Sequence, residues 1–420
     1  MAQLPAGSVD LIITSPPFLA LRSYLPDDDP AKVDEMGSEA NPADFIDGLL
    51  DVTEACARLL APHGTLCVEL GDTYAGSGGA GGDYYAGGWR DGQRPFEGTA
   101  KHARIHDPTV GPPIQNKNGK SQGGGAGWPQ AKSLALIPEA YRMALAYGRN
   151  PHNGRTTDPW RIRNVIRWVR PNPPVGALGD KFRPATSEMV VACKSASRWF
   201  DLDAVRVPHT EPGRKFDQGD HKATLQPHRA GATIEQNPAG APPLDWWQIS
   251  PGGYPGSHYA VYPPELCIKP IEAMCPRRVC RTCGVPSRRL VDTERTMIGK
   301  VNLEWKVARS ASTGGGDMAQ GAETTRTTGW STCGCPGSDG IRLDGYHTGT
   351  GWRPGIVLDP FAGSGTTLSV ASGHSRDSIG IDLDRRNANL ARDRIGMWLE
   401  ETTAPELAAI LGERPFSTHR

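Results

Sequence analysis

The run Ile356-Val357-Leu358-Asp359-Pro360-Phe361-Ala362-Gly363-Ser364-Gly365-Thr366-Thr367 constrains this chain more than any other segment. Its apolar start predicts a buried strand that ends at an acid. Gly363 and Gly365 allow a tight turn and close approach of a ligand to the backbone. Thr366 to Ala371 then starts a helix, and Ser378 to Ile381 is the next strand, ending at Asp382. Asp382 lies 17 residues past Gly365. That spacing is close to the interval of about 20 residues typical of an acid that binds ribose hydroxyls. The layout is that of a nucleotide-binding α/β unit. No Lys follows the loop, which disfavours Walker-type phosphate binding, and the third glycine of the dinucleotide fingerprint is absent. A plain strand-to-helix turn is the bland alternative.

A second informative run sits near the start. Val9 to Ile13 predicts another buried strand, and Thr14-Ser15-Pro16-Pro17-Phe18 follows it. Asn41-Pro42 starts a helix whose buried stripe is Phe45, Leu49, Val52, Cys56 and Leu59 or Leu60, with His63-Gly64 as its end. Thr65 to Leu70 is a strand closed by Gly71-Asp72. Residues 75–131 form a glycine-rich loop insert without periodicity. Ser133 to Tyr147 predicts a helix with Leu134, Ile137, Tyr141 and Leu145 on one face, and Val165–Val169 and Met189–Cys193 predict strands. Residues 207–245 and 284–332 are aperiodic, and Arg386 to Leu399 is the final predicted helix. Strands alternating with helices predict an α/β fold, a mostly parallel sheet with helices on both faces.

The bulk numbers narrow the class. The 420 residues suffice for one large α/β domain with insertions, and the formal net charge is zero. That excludes a wholly basic coat for nucleic acid but leaves room for a basic cleft. No apolar run of about 18 residues occurs, so no membrane span is expected. The start carries no signal pattern, so export is not expected. Nine cysteines, mostly scattered singly, suit a reduced cytosol with a metal site better than a disulfide framework.

The run after the first strand has its own chemistry. Ser15 offers a hydroxyl oxygen and Pro16 a carbonyl, both hydrogen-bond acceptors, Pro16-Pro17 stiffens the loop, and Phe18 offers a flat face for stacking. An ordinary rigid turn is the alternative.

Together and in this order, the two runs resemble the amino-methylating DNA methyltransferases of the circularly permuted β type. Leu21-Arg22-Ser23-Tyr24, Glu69-Leu70-Gly71-Asp72, Arg163-Asn164, Trp168, Pro171-Asn172-Pro173, Phe200-Asp201 and His258 to Leu266 extend the likeness. It covers residues 8–74, 133–206 and 245–400. The resemblance implies a Rossmann-like methyltransferase core, S-adenosylmethionine as methyl donor and double-stranded DNA as partner. It implies Ser15, Pro16, Pro17 and Phe18 at the flipped base, whose exocyclic amino group on cytosine or adenine is a poor nucleophile because its lone pair is delocalised into the ring; the site must accept its hydrogen bonds and aim it. It implies Asp359, Phe361, Ala362, Gly363, Gly365, Thr366 and Asp382 around the donor, with Asp382 on the ribose. Ser rather than Asp at the first motif position leans toward cytosine N4, with adenine N6 or a catalytically weak DNA-binding relative as alternatives. Related chains carry a Gly-Asp and an apolar helix before the first strand. Here a contact to the donor's adenine is therefore expected to be missing. A bacterial or phage-encoded cytoplasmic protein follows from the likeness. A homodimer and a companion restriction endonuclease are compatible with it, though no residue reads out either.

Cys280-Arg281-Thr282-Cys283 and Cys333-Gly334-Cys335 form two close pairs. Thiolates at such spacing suit structural zinc, with Cys275 as a substitute ligand and unrelated reduced thiols as the alternative. Arg277, Arg278, Arg281, Arg288 and Arg289 crowd this knuckle, as a phosphate-binding patch or a solvated face. The expected division is an acceptor half at 1–206 and a target-recognition segment at 207–250. The donor half is 251–274 with 341–420, and the zinc-binding insert is 275–340.

Overall fold

The strand and helix signals converge on one mixed sheet. The computed structural model describes residues 1–20, 24–25, 28–75, 126–173, 181–211, 216–217, 233–234, 236–237, 239–251, 262–297, 321–337, 351–396 and 404–412. Its first half holds β1 (Val9–Thr14), α1 (Pro42–Leu59), β2 (Leu60–Leu70), α2 (Ile137–Tyr147), β3 (Arg161–Val169) and β4 (Thr186–Cys193). The two-residue strands β5 (Phe216–Asp217) and β6 (Thr233–Ile234) pair with each other, and β7 (Trp246–Gln248) follows. The second half holds α3 (Glu265–Met274), β8 (Val279–Cys280), β9 (Arg289–Met297), β10 (Gly321–Trp330) and β11 (Trp352–Arg353). It closes with β12 (Ile356–Asp359), α4 (Thr366–Gly373), β13 (Asp377–Gly380), α5 (Arg386–Ile395) and α6 (Ala404–Gly412).

The main sheet runs β13-β12-β1-β2-β4-β3-β7. Neighbours from β13 to β2 are parallel, β4 is antiparallel to both its neighbours, and β7 is parallel to β3. Alternation along each strand feeds two cores. Val9, Ile12, Leu66, Val68, Val190, Ala192, Ile356 and Leu358 face α1 and α2. Leu11, Ile13, Cys67, Met189, Val191 and Val357 face α3 and α4. A sheet covered on both sides has no solvated face, which is why β1 is buried at every residue. Among the described residues, no helix is long and apolar enough to cross a membrane.

Several boundaries differ from the sequence reading. Asn41 does cap α1, its side chain accepting from Asp44 N at 3.0 Å. The helix stops at Leu59, however, and the chain enters β2 at once, so His63-Gly64 lies inside a strand. The β1–β2 register jumps between Val9 and Leu11, and His63 points inward there to bond Asp10 at 2.9 Å. Leu134 pairs with Tyr74 as an isolated bridge, and α2 begins only at Ile137. The aperiodic stretch 284–332 contains a long antiparallel hairpin, β9–β10. A further helix, α6, follows α5. Leu21-Arg22-Ser23, most of the glycine-rich insert (76–125), His258 to Val261 and much of 207–250 lie outside the described residues.

The N-terminal end of the sheet is closed by charge. Arg353, from β11, reaches Asp10 with two nitrogens at 2.5 and 3.2 Å, and Ile356 N donates to the same carboxylate at 2.8 Å. Burial alone would raise the Asp10 carboxyl, but Arg353 and His63 hold it well below the usual carboxylate range. This pair ties the strand of the acceptor run to the segment feeding the glycine loop.

Candidate active site

Both informative runs emerge at the C-terminal ends of adjacent parallel strands, β1 and β12. One buried carboxylate joins them. Asp359 accepts from Thr14 Oγ1 at 2.7 Å, Phe361 N at 3.1 Å, Thr367 Oγ1 at 2.6 Å and the Tyr262 hydroxyl at 3.1 Å. Burial raises its pKa and these donors oppose the rise. Asp359 therefore fixes the loop from behind rather than facing solvent.

In front of it opens a cleft of about 280 Å³. Ser15, Pro17, Phe361, Ala362, Gly363, Thr366 and Asp382 line it, so the acceptor and donor runs share one cavity. Gly363 and Gly365 have φ of +50° and +76°, the left-handed region the turn requires. Gly365 faces away from the cleft, where an added Cβ would sit 3.0 Å from Ala391 Cβ in α5. Asp382 is exposed; its Oδ2 accepts from Gly363 N at 2.7 Å and its Oδ1 from Asn387 Nδ2 at 2.8 Å. Oδ1 also accepts from Asp384 N at 2.8 Å, which fills its two lone pairs, so the room left for a ligand hydroxyl is on Oδ2. Leu25, Met36, Ile381 and Leu383 add apolar walls, and Asp34 and Asp384 add carboxylates. The segment carrying Leu25, Glu35 and Met36 was not foreseen, because nothing in its local pattern points across the fold.

The acceptor side holds a second unforeseen contact. Ile13 and Thr14 pair with Cys67 and Val68, so the next rung brings Ser15 to Glu69. Ser15 Oγ donates to Glu69 Oε2 at 2.6 Å. Glu69 is buried, and its Oε1 has no hydrogen-bond partner. Burial raises the Glu69 pKa, with Ser15, Ser187 and Arg170 opposing. Arg170 Nη1 donates to Ser187 Oγ at 3.3 Å. An acid near the end of the otherwise apolar run Leu66-Cys67-Val68-Glu69-Leu70 was the available signal. Pro16 is buried behind the cleft. Phe18 packs on Gly71, where an added Cβ would lie 2.5 Å from the ring.

The late cysteines also meet. The sulfurs of Cys280, Cys283, Cys333 and Cys335 all lie within 4.8 Å of one another. Gly284 and Gly334, at φ of +70° and +74°, turn the backbone around them. Cys275 stays outside this group, buried, its thiol pushed up to about 12 by desolvation. The surrounding cations are mostly committed to structure. Arg281 Nε donates to Trp352 O at 2.9 Å, and Arg289 holds Asp201 through two nitrogens at 2.8 and 2.7 Å. Since Cys280 pairs with Trp352 just before β12, the knuckle sits at the end of the sheet opposite Ser15.

The N6/N4 family model, described as DNA methylase, matches residues 9–278 and 353–393. Type II methyltransferase M.SmaI of Serratia marcescens is 23% identical over 386 residues, covering 92% of this chain and 84% of that protein. Type II methyltransferase M.XycI of Xanthomonas campestris pv. cyanopsidis is 24% identical over 399 residues, covering 94% and 84%. Among solved structures, the cytosine-N4-specific PvuII DNA methyltransferase aligns with a TM-score of 0.42 and 12% identity, covering 98% of this chain and 86% of that one. With the family match spanning both strand-end loops that form the cleft, this chain belongs to the N6/N4 DNA methylase family.

Proposed function

We propose that this protein transfers a methyl group from S-adenosylmethionine to the exocyclic amino group of a flipped base in duplex DNA, with cytosine N4 as the target. The observation that carries the reading is the single cleft shared by Ser15 and the glycine loop. The cleft suits the donor: apolar walls for an adenine, an exposed carboxylate at Asp382 for hydroxyls, and bare backbone at Gly363. S-adenosylmethionine supplies an electrophilic methyl on a sulfonium centre. Ser15, whose proton points at Glu69, keeps its oxygen lone pairs free to accept from the amino group. As the nitrogen becomes cationic, its proton passes to Ser15 Oγ, and the Ser15 proton passes to Glu69. Burial raises the proton affinity of that carboxylate. The Pro16-Pro17 loop and Asp359 hold the geometry, so proximity does much of the rest. Ser15 at the first motif position supports cytosine. The type II names of the relatives support a modification role beside a restriction endonuclease.

Long-read sequencing of DNA from a methylation-free host expressing this chain tests the reading. N4-methylcytosine in one short sequence context is expected. N6-methyladenine would correct the base, and unmodified DNA would reject the activity.

We also propose that the four clustered cysteines hold one structural zinc. Thiolates saturate a tetrahedral ion, which leaves no open position for chemistry. Elemental analysis of protein purified without chelator should find about one zinc per chain. Cys280→Ser or Cys335→Ser should release it and loosen residues 275–340, with donor binding largely kept. Zinc-free wild-type protein would reject the site.

A further inference from the structure

Phe182 is 96% exposed, more than any other large apolar side chain among the described residues. A single exposed apolar residue is ordinary by itself. Its neighbours and its place are not. Lys181 and Arg183 flank it, both exposed, and no carboxylate among the described residues pairs with either. The run leads directly into β4, whose first residue, Thr186, pairs with the last of β3, Val169. Ala185 O accepts from Arg170 N at 2.8 Å. Lys181 Nζ sits 3.4 Å from the centroid of the Tyr74 ring, and Tyr74 lies five residues past Glu69. The Lys-Phe-Arg run therefore stands at the rim of the end of the sheet that holds Ser15 and Glu69.

A paired base cannot reach the floor of that cleft, so the target must leave the helix. Its departure opens a gap in the stack, which an apolar side chain can fill. We propose that Phe182 is the wedge that enters the duplex where the target base leaves, while Lys181 and Arg183 grip flanking phosphates. This rests on the DNA-methyltransferase reading. The ring needs no rearrangement to serve, because among the described residues nothing covers it. Cations on either side neutralise backbone charge where the strands are forced apart.

The test uses full-length protein and a duplex containing the sequence found modified in the expressing host. One version is fully paired, and one carries a mismatch at the target base. Single-turnover methylation by Phe182→Ala should fall by about 10–100-fold on the paired duplex, the scale of a lost unstacking contribution. On the mismatched duplex the base is already loosened, and the deficit should shrink to about threefold. With 2-aminopurine at the target position, the fluorescence rise on binding should be lost in the variant. Its thermal midpoint should match wild type, since the ring is 96% exposed. Lys181→Ala with Arg183→Ala should reduce the slope of log affinity against log salt by about 2, for two phosphate contacts. A wild-type rate for Phe182→Ala on the paired duplex would overturn the proposal. So would an equal deficit on both duplexes, or an unchanged salt slope in the double variant. Wild-type protein that modifies no DNA would instead remove the functional reading on which the wedge depends.

Discussion

Ser15→Ala is expected to lower methyl transfer by at least about 100-fold, the lower end of what a positioned proton-transfer group contributes. Donor affinity measured by calorimetry should stay nearly unchanged, because the hydroxyl points to Glu69 and not to the glycine loop. Glu69 separates orientation from proton transfer. Glu69→Gln keeps an oxygen that accepts from Ser15 but removes the charge that takes up the proton. Its turnover should fall by a similar order, about 100-fold. The pH profile gives the sign. Glu69 must be ionised to accept the proton, and burial raises its pKa. Wild-type turnover should therefore decline as pH falls through that raised value, starting at a higher pH than for an ordinary carboxylate. Glu69→Gln should lose this acid limb. Normal turnover in Ser15→Ala, or an unaltered acid limb in Glu69→Gln, would refute the relay.

Gly363→Val should abolish S-adenosylmethionine binding. Gly363 sits at φ +50°, where a β-branched residue is strained, and its side chain would project from a loop that lines the cleft. Its N–H also bonds Asp382, so a shifted backbone would take that carboxylate with it. Asp382→Ala should weaken donor binding less, by about 1–3 kcal/mol for a lost charge-assisted hydrogen bond, toward the lower figure because the carboxylate is solvated. Titration calorimetry of both variants, with circular dichroism to confirm folding, checks this. Wild-type affinity in Gly363→Val would place the donor elsewhere.

Much of the local structure around the candidate site was legible because its signals are local. Pro16-Pro17 is stiff wherever it occurs. Gly363-Ser364-Gly365 after an apolar run turns a strand into a helix, and Asn41 before Pro42 caps one. Cys280 and Cys283 were readable as one half of the four-cysteine cluster, because their spacing is set by a few bonds along the chain. The misread stretches are those where local pattern conflicts with packing. His63-Gly64 reads as a stop, but the bulged start of β2 needs His63 to meet Asp10. The β9–β10 hairpin escaped because residues such as Thr293, Glu294, Thr324 and Thr325 pair across the chain without an apolar alternation. Sequence alone determined which residue types stand after each strand, and hence that a stiff Ser-Pro-Pro loop and a glycine turn exist. Only the tertiary structure decided that they meet in one cleft. Ser15 and Glu69 are 54 residues apart, Thr14 and Asp359 are 345 apart, and Asp10 and Arg353 are 343 apart. Those contacts follow from which strands lie side by side in the sheet, and strand order is set by the burial of two whole faces rather than by any one segment's pattern.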